Sequence, residues 1–169
     1  MNTLAHDSIG LIHLGTAMIS VISGTLVLTL RKGTVLHKQI GYVYAINMLL
    51  LNATAFGIYR LFGGFGIFHF AALVSLFILL GGMIPVMTKR PKHKWVELHY
   101  IYMYWSVIGL YAAFVSETLT RIPKTPFFGM VSVATFAVML LAGICYGRLR
   151  KKWKEQFGGK LRKQVSRPA

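Results

Sequence analysis

IGLIHLGTAMISVISGTLVLTLRK, residues 9–32, is an apolar run closed by two basic residues, and its reading decides the fold. A secretory leader would open on a positively charged segment and carry a shorter apolar core. Here no Lys or Arg precedes the run, Asp7 stands where that charge belongs, and 9–30 is long enough to cross a hydrocarbon core of about 30 Å as a helix. The stretch therefore reads as a first transmembrane helix rather than a cleaved signal.

The remainder of the chain repeats the pattern. Lipid offers no partner for backbone polar groups, so a spanning segment must be helical and needs roughly 20 mostly apolar residues. Segments 9–30, 40–62, 65–87, 98–118 and 127–147 meet that requirement. Gly63-Gly64 suits a tight turn, and Pro123 with Pro126 interrupts the chain before the last segment. Composition agrees: 169 residues that are 55% hydrophobic and 14% charged are too apolar for one soluble core. The reading is an all-α integral membrane bundle of five helices, residues 1–147, followed by a basic amphipathic tail, residues 148–169, with the lipid bilayer as its first partner.

A net charge of +15 raises nucleic acid as a partner. Nucleic-acid binding needs the basic residues gathered on one folded face, whereas here they punctuate the apolar runs, so that class is set aside. Their distribution reports topology instead. Arg31, Lys32 and Lys38, then Lys89, Arg90, Lys92 and Lys94, then the basic run 148–167 fall on one side, against Arg60, Arg121 and Lys124 on the other. Cytoplasmic loops carry the positive excess. The N-terminus is thus expected outside and the tail in the cytoplasm of a cell inner membrane. Leu149, Trp153 and Phe157 recur at four-residue spacing in the tail, the pattern of a helix against anionic lipid headgroups. Tyr100, Tyr102, Tyr104 and Trp105 read as an interfacial aromatic belt. Cys145, the single cysteine, reads as a small buried thiol, and self-association into a homo-oligomer stays open.

Ionisable groups at membrane depth are costly and are candidate functional residues by default. They sort into two layers. His13, His69 and Glu117 share a depth near the outer surface; His37 and His99 lie at the cytoplasmic boundary, with His93 in the loop between. Helical arithmetic puts Gly10, His13, Ala17, Ser20 and Gly24 on one face of the first helix, a small-residue stripe that admits a close neighbour. On the second helix Gly41, Tyr44, Met48, Asn52, Ala55 and Tyr59 form the inward stripe, continued by His37 if the helix reaches it. His99, Ser106, Ala113 and Glu117 share a face of the fourth, and the fifth reads as peripheral packing.

Two imidazoles and a carboxylate, His13, His69 and Glu117, are the donor set of open zinc or non-haem iron sites. A purely structural reading satisfies the same groups by interhelical hydrogen bonds and by pairing Glu117 with Arg60 or Arg121; His6 and Asp7 could assist either. Paired histidines at equal depth, His13 with His69 and His37 with His99, would instead suit haem b. Transport is a third class, resting on Asn47, Asn52, Gly81-Gly82 and Pro85. Glycine pairs in membrane helices more commonly serve close packing. No phosphate-binding glycine loop, nucleophile elbow or paired-cysteine motif is present to assign an enzyme class.

Three marks occur in order: His13-Leu14-Gly15 with Gly24; His37-Lys38-Gln39-Ile40-Gly41-Tyr42-Val43-Tyr44; and His99, Met103 and Ser106 at four- and three-residue steps. In these the chain resembles DUF2306, a bacterial multi-pass membrane family of unknown function, over roughly residues 10–120. The resemblance implies a helical membrane bundle with inward histidines and no established reaction.

Overall fold

The computed structural model describes residues 8–58, 63–92, 94–119 and 126–165, with side chains in the last stretch through Trp153 and at Glu155. Every regular element among them is a helix: α1 Ser8–Thr29, α2 Val35–Ala55, α3 Ile67–Thr88, α4 Trp95–Leu119 and α5 Phe127–Val165. Of these α1, α3, α4 and the Phe127–Trp153 part of α5 are long and apolar enough to cross a membrane. α2 has the length, at 21 residues, but its sequence carries His37, Lys38, Gln39, Asn47 and Asn52.

Two boundaries differ from the sequence expectation, each for a local reason. α2 spans Val35–Ala55 rather than 40–62. Thr34 caps its start by accepting the His37 backbone N–H at 3.2 Å, which brings His37 into the first turn. α5 runs unbroken through Gly147 to Val165 over 39 residues, so the basic tail begins as the continuation of a helix already nucleated in the apolar segment.

The exterior is unlike that of a soluble protein, and small polar groups join the apolar ones inside. Ile22, Phe77, Phe136 and Leu141 are all more than half exposed, while Ser20, Asn52, Ser106 and Ser116 are at most 5% exposed. Large apolar groups facing outward cost nothing in hydrocarbon, and small polar ones are what let helix backbones approach. Hydroxyls inside the helices are satisfied locally. Thr16 donates to the Ile12 carbonyl at 2.8 Å, Ser23 to Ile19 at 2.6 Å and Thr118 to Phe114 at 2.7 Å, each one turn back.

The chain divides into two compact units, Met1–Leu80 and Gly81–Ala169, the division falling inside α3. In the first, α1 packs along α2. The α1 face turned inward is Gly10, Thr16, Ser20, Ser23, Gly24 and Val27, with His13 and Ala17 half-buried beside it, which is the small-residue stripe expected from the sequence. The α2 face is Tyr44, Ala45, Met48 and Asn52, flanked by half-buried His37, Gly41 and Ala55. Tyr59 lies outside the described residues. Gly63 adopts φ 65°, the left-handed conformation that the expected Gly63-Gly64 turn requires.

In the second unit α4 packs along α5. Tyr104 is 3% exposed and donates its hydroxyl to the Ala142 carbonyl at 2.7 Å. This corrects the belt reading for Tyr104: a phenol whose hydroxyl finds a carbonyl on the next helix is core. α5 is peripheral, as expected, with most of its apolar length exposed, and it meets α4 through buried Ala134, Ala142 and Trp153 and through the Thr135 and Ser116 hydroxyls 3.2 Å apart. Cys145 is exposed, not buried. Ala113 is also exposed, so the expected inward face of α4 holds at Ser106 and only in part beyond it. At the other edge of this unit Gly81 and Gly82 serve close packing: a Cβ built at either would stand 2.7 Å from the Tyr102 ring or the Met103 sulfur.

Candidate functional site

The histidines are best separated by what each ring nitrogen does, since a neutral imidazole has one donor and one lone pair. His13 stands on α1 with Nδ1 3.0 Å from Thr54 Oγ1 of α2. That hydroxyl is also 2.9 Å and 3.0 Å from the Leu50 and Leu51 carbonyls, which take its proton. With that proton on either carbonyl, Thr54 accepts from His13 Nδ1–H and the His13 lone pair falls on Nε2. A ring oriented through Nδ1–H with its Nε2 lone pair directed elsewhere is the state a metal ligand or proton acceptor requires.

His69 is in the opposite state. Gly66 precedes α3, and its backbone N–H donates to His69 Nδ1 at 3.1 Å, while the His69 N–H returns to the Gly66 carbonyl at 3.0 Å. A side chain three residues into a helix reaching back to the capping residue is the reciprocal arrangement usually made by Glu or Gln. It uses the lone pair on Nδ1 and leaves the proton on Nε2. The ring is 3% exposed, stacked on Phe65 at 5.0 Å between centroids and tilted against Phe56 at 6.2 Å. Sequence reasoning took His69 as a ligand because it counted depth; Gly66, three residues upstream, was the available sign of a cap.

His99 belongs to the second unit. Its Nδ1 lies 2.9 Å from the Gly82 carbonyl of α3, an oxygen that can only accept, so Nδ1 carries the proton. Pro85 sits inside α3 three residues on, where it removes a backbone donor from the same stretch of helix. His37 is half-buried in the first turn of α2, in the first unit, and Glu117 is half-buried in the last turn of α4, in the second. Asn47 and Asn52, the residues expected to line a path, donate to the carbonyls of Val43 and Met48 at 2.9 Å and 2.8 Å, so each amide serves its own helix. Among the described residues no group of three or more His, Cys, Asp or Glu side chains stands together as a metal-binding cluster. His6, Asp7, Arg60, His93, Arg121 and Lys124 lie outside the described residues.

The family described as predicted membrane protein, DUF2306, matches residues 10–149, from the first turn of α1 to the basic end of α5. The chain belongs to the DUF2306 family. It is a membrane protein, and all five candidate side chains, His13, His37, His69, His99 and Glu117, lie within the stretch shared with DUF2306. No curated protein and no solved structure matches the chain.

Proposed function

We propose that this DUF2306 protein is a five-span protein of the cell inner membrane, N-terminus outside and basic tail cytoplasmic, that binds zinc or iron near its outer surface through His13. The five-span count rests on α2, whose 21 residues reach about 31 Å as a helix. Its amides are satisfied within the helix, which lowers the cost of placing Asn47 and Asn52 in lipid. Orientation rests on the lopsided Lys and Arg distribution.

One observation carries the metal reading: Thr54 Oγ1 lies 3.0 Å from His13 Nδ1 and orients the ring, the kind of partner that a ligating imidazole has on its other nitrogen. The ligand set of the sequence reading, His13, His69 and Glu117, rests for its other two members on shared depth. His69 enters it only by giving up the Gly66 N–H. Elemental analysis of detergent-purified protein, prepared without nickel affinity, tests this. Near-stoichiometric zinc or iron is expected, lost in His13→Ala, reduced several-fold in Thr54→Val as for removal of an orienting partner, and retained in His99→Ala. His69→Gln preserves the helix cap and so separates ligand from cap: retained metal assigns His69 to the cap. Well-folded protein with no metal ends the metal reading.

A second reading is favoured by His99, whose Nδ1–H is donated to a backbone carbonyl as axial haem ligands commonly are. Haem b ligation predicts a coloured protein whose absorption shifts on reduction and is lost in His99→Ala and His37→Ala; colourless protein refutes it.

A further inference from the structure

In the second unit the cytoplasmic extension of α5 is held against α4 by an aromatic clasp. Trp153 is 6% exposed, with its ring 5.2 Å from that of Tyr100 and 5.8 Å from that of Tyr104. Tyr146, two turns earlier on the same face of α5, packs on Tyr104 at 5.3 Å and on Trp105 at 5.6 Å. A tryptophan in a basic tail would ordinarily lie on the headgroups; here it is spent on fixing the helix. Arg148, Arg150, Lys151 and Lys152 flank it and are all exposed.

The loop between α3 and α4 lies at the same end of this unit, because it runs directly into the α4 turns that the clasp grips. Its backbone is folded onto that helix: the N–H groups of Lys94 and Trp95 both donate to the Pro91 carbonyl at 3.0 Å. Lys89 sits with φ 56° and its Nζ 4.2 Å over the Trp95 ring. Lys89, Arg90, Lys92 and Lys94 are all exposed. Half-buried Glu97 and exposed Glu155 are the described carboxylates of this end.

We propose that these two basic segments form one preassembled surface for anionic lipid headgroups, with Trp153 as the positioning residue that joins them. Headgroups fit better than nucleic acid because the apolar outer faces run straight up to the charges: Met87 precedes the loop at 66% exposure and Ile144 precedes Arg148 at 53%. Basic side chains at the rim of such a band meet the phosphate layer of the leaflet that band is dissolved in. The inference uses none of the residues of the metal reading, so metal content in the variants below reports on that reading separately.

The test is thermal unfolding of the full chain in neutral detergent, titrated with short-chain phosphatidylglycerol, with phosphatidylcholine, inorganic phosphate and duplex DNA as comparisons. Phosphatidylglycerol is expected to stabilise saturably and phosphatidylcholine not. Replacing the four loop cations by Gln, or the four on α5, should each weaken phosphatidylglycerol by more than about tenfold, since each cation near an anionic surface contributes a roughly fivefold share. Trp153→Ala should weaken it comparably with every charge intact, and Trp153→Phe should restore it; should Trp153→Ala not fold, Trp153→Phe and the two charge variants decide. The proposal is overturned if only one segment matters, if Trp153→Ala folds and binds as wild type, if inorganic phosphate alone reproduces the shift, or if DNA is preferred.

Discussion

The two units build helix seams for the same apolar solvent by opposite means. α1 meets α2 through Gly10, Thr16, Ser20, Ser23 and Gly24, small side chains that admit a neighbour whose buried face carries Tyr44 and Met48. α4 meets α5 through the rings of Tyr104, Tyr146 and Trp153, and Tyr104 adds a hydrogen bond to the Ala142 carbonyl. Hydrocarbon supplies no transfer energy to either seam, so each must be held by packing and by polar contacts that lipid cannot replace. The difference teaches where each seam is fragile: the first to bulk, the second to truncation.

The largest expected effect is at the aromatic seam. Tyr104→Ala removes a ring that is 3% exposed together with its hydroxyl bond, and is expected to cost about 3 kcal/mol, the low end for large-to-small aromatic changes. Thermal or denaturant unfolding in detergent measures it. Tyr104→Phe keeps the ring and should lose only about 1 kcal/mol; equal losses in the two variants would mean that the ring contributes little and the comparison is wrong.

At the small-residue seam the expected signs differ between two substitutions of one residue. Ser20 is fully buried, and its Oγ has no hydrogen-bond partner among the described residues. Ser20→Leu should cost about 1–3 kcal/mol by overpacking. Ser20→Ala removes an unsatisfied hydroxyl and should be neutral or stabilising by up to about 1 kcal/mol. A destabilised Ser20→Ala would break the account of this seam.

The smallest effect is a pH dependence at the loop that joins α1 to α2. Lys32 donates to the Val27 and Leu28 carbonyls at the end of α1, and burial pulls its pKa from 10.5 down to about 8. Between those two values the unfolded chain holds a proton that the folded one has released, so stability should rise with pH from about 8 to 10.5 and be flat below. Comparing wild type with Lys32→Gln isolates the contribution; a difference that falls across that interval would contradict burial as the cause.

Much of this was legible in the residue order. Period and length of the apolar runs are local quantities, and they located all five helices; the small-residue stripe of α1 followed from 100° steps alone. The candidate site was legible only as depth. Depth grouped His13 with His69, yet one reaches across to Thr54 on the next helix and the other accepts from Gly66 at the start of its own. Depth likewise made a belt of Tyr104 and left Cys145 buried, where rotation about the helix axis decided otherwise.

The sequence by itself therefore determined the solvent, the helices and the family, because a bilayer reads hydropathy along the chain and asks little about what lies across it. Only the tertiary structure decided which imidazole nitrogen carries the proton, that Trp153 is a clasp and that α5 continues into the tail. Those depend on single hydrogen bonds and ring contacts between residues distant in sequence, and spacing along one helix does not encode the rotation or the partner on the next.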